Sequence, residues 1–213
     1  MTQPGAAQRP DAHSPAGALR PSLIHPLTSI IDPLDPARLF PRPQPLEVEL
    51  GCGDGSFIIA YSKRQPERNF LAVERLLGRL RKVDRKGRRA GLANLRLVRV
   101  EGAYLLEYLL RPGSIEAIHV YFPDPWPKRR HNKHRLINER FPGVAKQALT
   151  PSGRVYLRTD DRAYFERMTA VFAADQDFLL AETPEDLAGT ATDFETEFQS
   201  NGVAILRAAY QRR

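Results

Sequence analysis

The feature that most constrains the fold is a regular alternation, from Leu46 onward, of short β-rich runs with longer helical runs. Strand and helix alternate five times, which is typical of right-handed βαβ units. The pattern therefore predicts an α/β fold: a doubly wound, mostly parallel seven-stranded sheet with helices on both faces. In sheets of this kind, ligands bind beyond the carboxyl ends of the strands.

The boundaries of the predicted elements follow from periodicity and from proline and glycine stops. The predicted strands are 46–50, 69–73, 95–100, 115–122 and 154–158, and the segments 178–181 and 203–210 could close the sheet. The predicted helices are 56–65, 75–90, 103–110, 136–149 and 162–174.

The amino-terminal part of the chain has a different composition from the rest. Ten of the 18 prolines precede Leu46, and each proline removes a backbone donor and fixes φ. We therefore expect a disordered tail over 1–20, a proline-rich extended arm over 21–45 and a folded domain over 46–213.

A single cysteine, Cys52, excludes an internal disulfide. No stretch has the ~18 apolar residues that a membrane span needs or the shape of a signal peptide, so we expect a cytoplasmic protein.

Charge is distributed unevenly along the chain. The whole sequence carries +7, but the segment 62–140 holds 20 basic and 8 acidic residues, whereas 160–200 holds 11 acidic and 2 basic residues. Five cations of the predicted helix 75–90 fall at spacings of three and four, which places them on one helical face: Arg75, Arg79, Lys82, Lys86 and Arg89. Such a face is either solvated or a phosphate-binding surface, and nucleic acid is the partner that this charge favours.

A glycine-rich turn follows the first predicted strand. Gly51, Gly53 and Gly55 come directly before a helix, where glycines allow positive φ and close approach of a ligand to the backbone. Three acids stand at successive predicted strand ends: Glu49, Glu74 and Glu101. A carboxylate at the position of Glu74 can accept both hydroxyls of a ribose. Three acids suit a sulfonium cofactor with a cationic tail better than a dinucleotide pyrophosphate.

The most informative stretch follows the fourth predicted strand. It reads F-P-D-P-W-P-K-R-R-H-N-K over 122–133. Its three prolines stiffen a loop that carries one acid, Asp124, and the only tryptophan, and five Lys or Arg residues follow over 128–135. A rigid carboxylate can accept the N1–H and N2–H₂ donors of guanine, while the cations bind phosphates. His131 and His134 have no cysteine or acid grouped beside them, so no metal site is predicted.

This stretch resembles the signature of the bacterial tRNA (guanine-N7-)-methyltransferases, which are class I S-adenosylmethionine-dependent enzymes with a Rossmann-like fold. The resemblance extends from about Leu46 to Tyr210. It includes the compact G-x-G-x-G turn, the pair Thr159-Asp160 after the fifth strand, and the late motif Thr192-Asp193-Phe194-Glu195.

The resemblance implies a role for each matching position. It implies S-adenosyl-L-methionine contacts from Glu49, the turn glycines Gly51 and Gly53, Glu74, Glu101 and Asp124, with Asp124 as the catalytic residue. It implies contacts to the target guanosine, which lies in the tRNA variable loop, from Lys128, Asp160, Thr192, Asp193, Phe194 and Glu195. It implies RNA contacts from Arg130, His131, Asn132, Lys133, His134 and Arg135.

Guanine N7 carries a free lone pair and no proton, so the transfer needs no general base, and positioning supplies most of the catalysis. We therefore expect Asp124 to orient the base and to stabilise its developing positive charge. Two alternatives remain: a catalytically inactive RNA-binding module on the same fold, and a class I methyltransferase with another acceptor. The predicted partner is tRNA, with no membrane and no metal, and the sequence is compatible with a monomer or a homodimer.

Overall fold

Seven strands form one sheet in the order β3-β2-β1-β4-β5-β7-β6. The structure is a computed structural model that describes residues 21–126 and 135–213. Strands β1 to β5 run parallel, and β7 inserts antiparallel between β5 and β6. The order reverses between β1 and β4, which places the switch point of the sheet there. The predicted α/β class and the mostly parallel seven-stranded sheet are confirmed.

The strands are β1 Leu46–Leu50, β2 Asn69–Val73, β3 Leu95–Val98, β4 Ile115–Tyr121, β5 Leu149–Thr159, β6 Phe178–Ala181 and β7 Leu206–Arg212. The helices are α1 Pro36–Leu39, α2 Ser56–Arg64, α3 Leu77–Ala90, α4 Gly102–Tyr104 with a π-helical turn Leu105–Leu109, α5 Phe141–Ala148, α6 Arg162–Ala173, α7 Glu185–Ala188 and α8 Asp193–Ser200. Helices α1, α7 and α8 were not predicted.

Two predicted elements begin five residues away from the observed first residue, the largest differences among the predicted boundaries. The helix expected over 136–149 begins only at Phe141, because Pro142 lacks a donor and its ring excludes a preceding helical turn. The strand expected from Arg154 begins at Leu149. Leu149 pairs with Ile115, the register then shifts, and Arg154 pairs with Ala117. Pro151 and Gly153 therefore mark an irregularity inside β5 and not a break before it.

Side chains of alternate strand residues form one apolar core on each face of the sheet. On β2, Phe70 belongs to the apolar cluster that includes residues of α2 and α3, whereas Leu71 belongs to the cluster on the opposite face, which includes residues of α5 and α6. Both side chains are fully buried. The continuous burial of this strand is what a parallel sheet covered by helices requires.

The predicted arm packs against the β3 edge of the sheet. The backbone of Leu97 bonds Leu23 and His25 at 2.9 and 2.8 Å, and Asp84 of α3 accepts the N–H of Leu23 at 2.7 Å. Leu23 is 5% exposed. This contact covers backbone groups that an open edge strand would leave unpaired. Among the described residues, no helix is long and apolar enough to cross a membrane.

The turn after β1 makes a testable prediction about stability. Gly55 has φ +83°, and a Cβ there would lie 2.7 Å from Val83 Cγ1, whereas Gly53 has φ +56° and open space around it. We expect Gly55→Ala to lower the free energy of unfolding by about 2–4 kcal/mol, from backbone strain plus overpacking against a buried valine. The matched control Gly53→Ala should lose only about 1 kcal/mol, from backbone strain alone.

Urea unfolding of both variants in the absence of ligand measures this difference. Equal losses for the two variants would contradict the close packing of the turn against α3.

Candidate active site

Five acidic residues lie at the ends of five neighbouring strands. Glu49 lies within β1, and the other four follow β2, β3, β4 and β5: Glu74, Glu101, Asp124 and Asp160. These strands are parallel and adjacent in the order β3-β2-β1-β4-β5, so their carboxyl ends form one edge of the sheet. The sequence placed these residues at strand ends, and the topology brings them to a common edge at the switch point.

The glycine turn provides open backbone at this edge. The N–H groups of Gly51 and Cys52 both donate to the carbonyl of Val73, at 2.9 Å each, which fixes the turn to β2. Gly51 and Gly53 have φ +80° and +56°, and a Cβ on either would meet nothing within 4 Å. The glycines there satisfy the backbone conformation and leave space in which a ligand could approach.

Glu49 is a buried acid with an unsatisfied oxygen. Its side chain is 4% exposed, and its Oε2 atom has no hydrogen-bond partner. Burial, together with the charges of Asp54 and Glu74 and against the opposing effect of Arg158, raises the pKa of Glu49 to about 8. A cationic group bound at the edge would supply the missing partner and stabilise the carboxylate. Burial also raises the pKa of the Cys52 thiol, which keeps it protonated and unreactive.

Backbone N–H groups orient Glu74 and Glu101. Glu74 is 7% exposed, and its Oε1 accepts the N–H of Leu76 at 2.8 Å. Glu101 caps the short helix α4, where its Oε2 accepts the N–H of Tyr104 at 2.8 Å. In each case one oxygen holds the carboxylate in place.

The proline-rich loop after β4 has a strained backbone. Phe122 and Trp126 have φ of +50° and +45°, which is unusual for aromatic residues and is typical of functional loops. The N–H of Phe122 donates to the carbonyl of Arg158 at 2.8 Å. Asp124, which lies between Phe122 and Trp126, is exposed to solvent.

Arg135 is the one member of the predicted RNA-binding strip that the structure describes. Its Nε donates to the carbonyl of Pro125 at 2.6 Å, and its guanidinium lies 4.9 Å from the ring centre of Tyr164. The side chain therefore supports the loop that carries Asp124. Lys128, Arg130, His131, Asn132, Lys133 and His134 lie outside the described residues.

The late motif forms the beginning of α8. Thr192 Oγ1 accepts the N–H of Glu195 at 3.0 Å, and Glu195 Oε2 accepts the N–H of Thr192 at 2.8 Å, which is a capping box. Glu195 is fully buried, whereas Asp160 is exposed. The side chains of Asp193 and Phe194 lie outside the described residues.

Two buried polar groups next to the site are not among the site residues proposed from sequence; for His119 the alternation with apolar residues indicates a structural role. Arg158 is 1% exposed and His119 is fully buried. His119 bonds Tyr121 Oη at 2.8 Å and Glu47 Oε2 at 2.7 Å, so it is a satisfied core histidine. Arg158 follows three apolar or aromatic residues of β5, and a charge within a buried strand was the available signal. Among the described residues, no group of three or more histidines, cysteines and acids could hold a metal ion.

Comparison with known proteins places the chain in a family. The family described as "Putative methyltransferase" matches residues 43–208. A tRNA (guanine-N(7)-)-methyltransferase of Syntrophotalea carbinolica is 39% identical over 67% of this chain and 61% of its own length. One from Rubrobacter xylanophilus is 35% identical over 78% of this chain and 74% of its own length.

A solved structure shares the fold. The 16S rRNA methyltransferase KamB superposes with a TM-score of 0.58 at 15% identity and covers 83% of this chain and 91% of its own chain. The resemblance stated from the signature is confirmed, and so is the Rossmann-like fold. The chain belongs to the tRNA (guanine-N7-)-methyltransferase family of class I S-adenosylmethionine-dependent methyltransferases.

Proposed function

We propose that this protein transfers the methyl group of S-adenosyl-L-methionine to N7 of a guanosine in the variable loop of tRNA. The observation that carries the proposal is the common edge formed by the glycine turn, the strand-end acids and the loop of Asp124. The names of relatives that are 31–39% identical support the same reaction.

The residues at the edge fit S-adenosylmethionine. We assign the ammonium of its methionine part to Glu49, whose Oε2 is buried without a partner. We assign the ribose hydroxyls to Glu74, which follows β2, the strand next to β1. We assign the adenine amino group to Glu101, which follows β3, one strand further from β1. Gly51 and Gly53 would let the cofactor lie against bare backbone, and Asp124 closes the edge on the β4 side.

S-adenosylmethionine, when bound, supplies a methyl group on a positively charged sulfur, and guanine N7 can accept it without losing a proton. The protein therefore has to align the base and stabilise charge. We assign both tasks to Asp124, whose carboxylate can accept from guanine N1–H and N2–H₂. Its exposure leaves it accessible to a base from a large substrate.

The acceptor side is formed by segments next to Asp124. We propose that Lys128, Asp160, Asp193 and Phe194 contact the target guanosine, and that Thr192, which is buried in the capping box with Glu195, contributes by fixing this motif. Asp160 follows β5, the strand next to that of Asp124, which supports this assignment. Glu195 belongs to the same motif, but its full burial favours an indirect contribution.

We assign RNA backbone contacts to the exposed face of α3 and to Arg130, His131, Asn132, Lys133 and His134. Arg135 is bound to the carbonyl of Pro125 and supports the Asp124 loop. The cations of α3 that are exposed and have no ion pair among the described residues are Arg81, Lys82, Arg85 and Arg89, and the exposed Arg75 lies just before the helix. A continuous set of unpaired cations suits phosphates.

The reaction is tested by transfer of labelled methyl to unmodified tRNA, followed by chemical cleavage at N7-methylguanosine. We expect one cleavage site, in the variable loop, and none in a tRNA whose target guanosine is replaced by adenosine. Label on adenine or on protein would refute the assignment.

Asp124→Asn keeps the size of the side chain and removes its charge. We expect kcat to fall by about 100-fold, as for loss of a preorganised electrostatic contact, while the Kd for S-adenosylmethionine stays within a few-fold. Single-turnover methylation and calorimetric binding measure the two effects. Normal turnover by the Asn variant would contradict the role of Asp124.

The pKa of Glu49, raised to about 8 by burial, predicts a proton linkage to cofactor binding. Below pH 8 the free protein holds Glu49 mainly protonated, and a bound ammonium favours the carboxylate, so binding should release a proton. Affinity for S-adenosylmethionine should therefore rise between pH 6 and pH 7.5, by at most about tenfold per pH unit. Calorimetry in buffers of different ionisation enthalpy measures the release.

The control for this linkage is Glu49→Gln, which should bind more weakly and with a flat pH response over the same range. A wild-type affinity that does not change with pH would disprove the linkage.

The α3 surface predicts salt-dependent binding. Log affinity for tRNA should fall linearly with log salt, and Arg81→Gln with Arg85→Gln should reduce the slope by about 2, or about 1 for each phosphate contact. Lys146→Gln with Arg167→Gln, on helices that cover the other face of the sheet, removes the same charge and should leave the slope nearly unchanged. Equal slopes for the two double variants would remove α3 from the RNA interface.

A further inference from the structure

Arg158 is a buried charge at the carboxyl end of β5, beside the candidate active site. It is 1% exposed, and a guanidinium at such a depth is tolerated only with good partners. Its Nη1 donates to Glu195 Oε2 and to the carbonyl of Thr190, both at 2.7 Å. Its Nη2 donates to the carbonyl of Leu187 at 2.6 Å. All three acceptors belong to the segment 187–195, which we call the acceptor-side segment.

The other surroundings of Arg158 belong to the cofactor side. The guanidinium carbon lies 4.3 Å from the ring centre of Tyr121, at the end of β4, and 5.6 Å from that of Phe57, in the first turn of α2 after the glycine turn. The Arg158 carbonyl accepts the N–H of Phe122, at the start of the Asp124 loop. Arg158 therefore contacts α2, the Asp124 loop and the acceptor-side segment.

Both oxygens of Glu195 are occupied within the protein. Oε2 accepts from Arg158 and from the N–H of Thr192, and Oε1 accepts from Arg207 Nη2 at 2.7 Å. The Glu195 side chain is fully buried. It thus fixes the beginning of α8 to β5 and β7 and has no oxygen left for a substrate.

A second arginine attaches the same segment to the cofactor side. Arg64, at the end of α2, donates to Thr190 Oγ1 at 2.7 Å and to the Asp186 carbonyl at 3.0 Å. The acceptor-side segment is therefore held against α2 and β5. Helix α2 follows the glycine turn, and β5 pairs with β4, the strand that leads to the Asp124 loop.

We propose that Arg158 is a positioning residue, paired with Glu195, that holds the acceptor-side segment in register with the Asp124 loop and the cofactor edge. The inference rests on the proposed function, because it assigns residues that orient the guanosine for that reaction. The guanidinium fork reaches three acceptors at once, which neither lysine nor an apolar residue can reproduce.

The test compares Arg158→Met with Arg154→Met. Arg154 lies four residues earlier on the same strand, and its guanidinium bonds Gln211 at 3.3 Å, away from the site. With both variants folded at the assay temperature, Arg158→Met should lower kcat for tRNA by at least about tenfold, because small misplacement of a substrate is costly. The fall in kcat should exceed any change in the Kd for S-adenosylmethionine, which Arg158 affects through the pKa of Glu49, and Arg154→Met should match the wild type.

Two further readouts separate positioning from loss of stability. Amide exchange over 187–195 should accelerate in Arg158→Met and not in Arg154→Met. Glu195→Gln should also lower kcat, and its combination with Arg158→Met should add little, because both changes remove one contact. Arg158→Lys should recover part of kcat; it and Glu195→Gln carry the test if the Met variant does not fold.

The outcomes are distinguishable. Full turnover by a folded Arg158→Met, or additive losses in the double variant, would overturn the inference. Wild-type protein that methylates no tRNA guanosine would overturn the proposed function, and amide exchange would still decide whether Arg158 holds the segment.

Discussion

The parallel pairing of β1 with β4 is the contact on which the site depends. Glu47, Val48 and Glu49 pair with Ala117, Ile118 and His119, so the glycine turn after β1 and the proline-rich loop after β4 leave the sheet side by side. The strand order reverses at this point, and in open α/β sheets such a reversal is where ligands bind. The residues proposed to bind the cofactor and the loop of Asp124 therefore lie at the same edge of the sheet.

Two buried ionisable residues near this edge differ in their hydrogen bonding. Glu49 is buried with one oxygen unsatisfied, and burial favours its neutral form. Arg158 is buried with protein acceptors for its guanidinium and aromatic rings beside it. An unsatisfied buried group costs stability that a ligand can restore, whereas a satisfied one fixes the elements around it. The first arrangement suits a binding site, and the second suits a support for it.

The support extends to the loop of Asp124. The sequence assigned Arg135 to the RNA-binding strip, and the structure directs its guanidinium to the carbonyl of Pro125 and the face of Tyr164. Prolines restrict the loop locally, but two residues with positive φ need tertiary contacts to hold them. Arg135 and the carbonyl of Arg158 provide those contacts, so rigidity of the loop is partly a property of its neighbours.

Local sequence determined the strands, most helices and the positions of Glu49, Glu74, Glu101 and Asp124 at strand ends, because hydrophobic period and glycine or proline stops act within a few residues. The errors have the same local cause. The apolar pattern extends the predicted helix to residues before Pro142, although α5 begins only at Phe141. Pro151 and Gly153 indicate a stop, although both lie inside β5. The tertiary structure alone decided that Leu23 covers β3, that the acids share one edge, and that Glu195 turns inward to Arg158 and Arg207. Those outcomes depend on contacts between residues far apart in the chain, and no local pattern encodes which distant partner a buried charge will find.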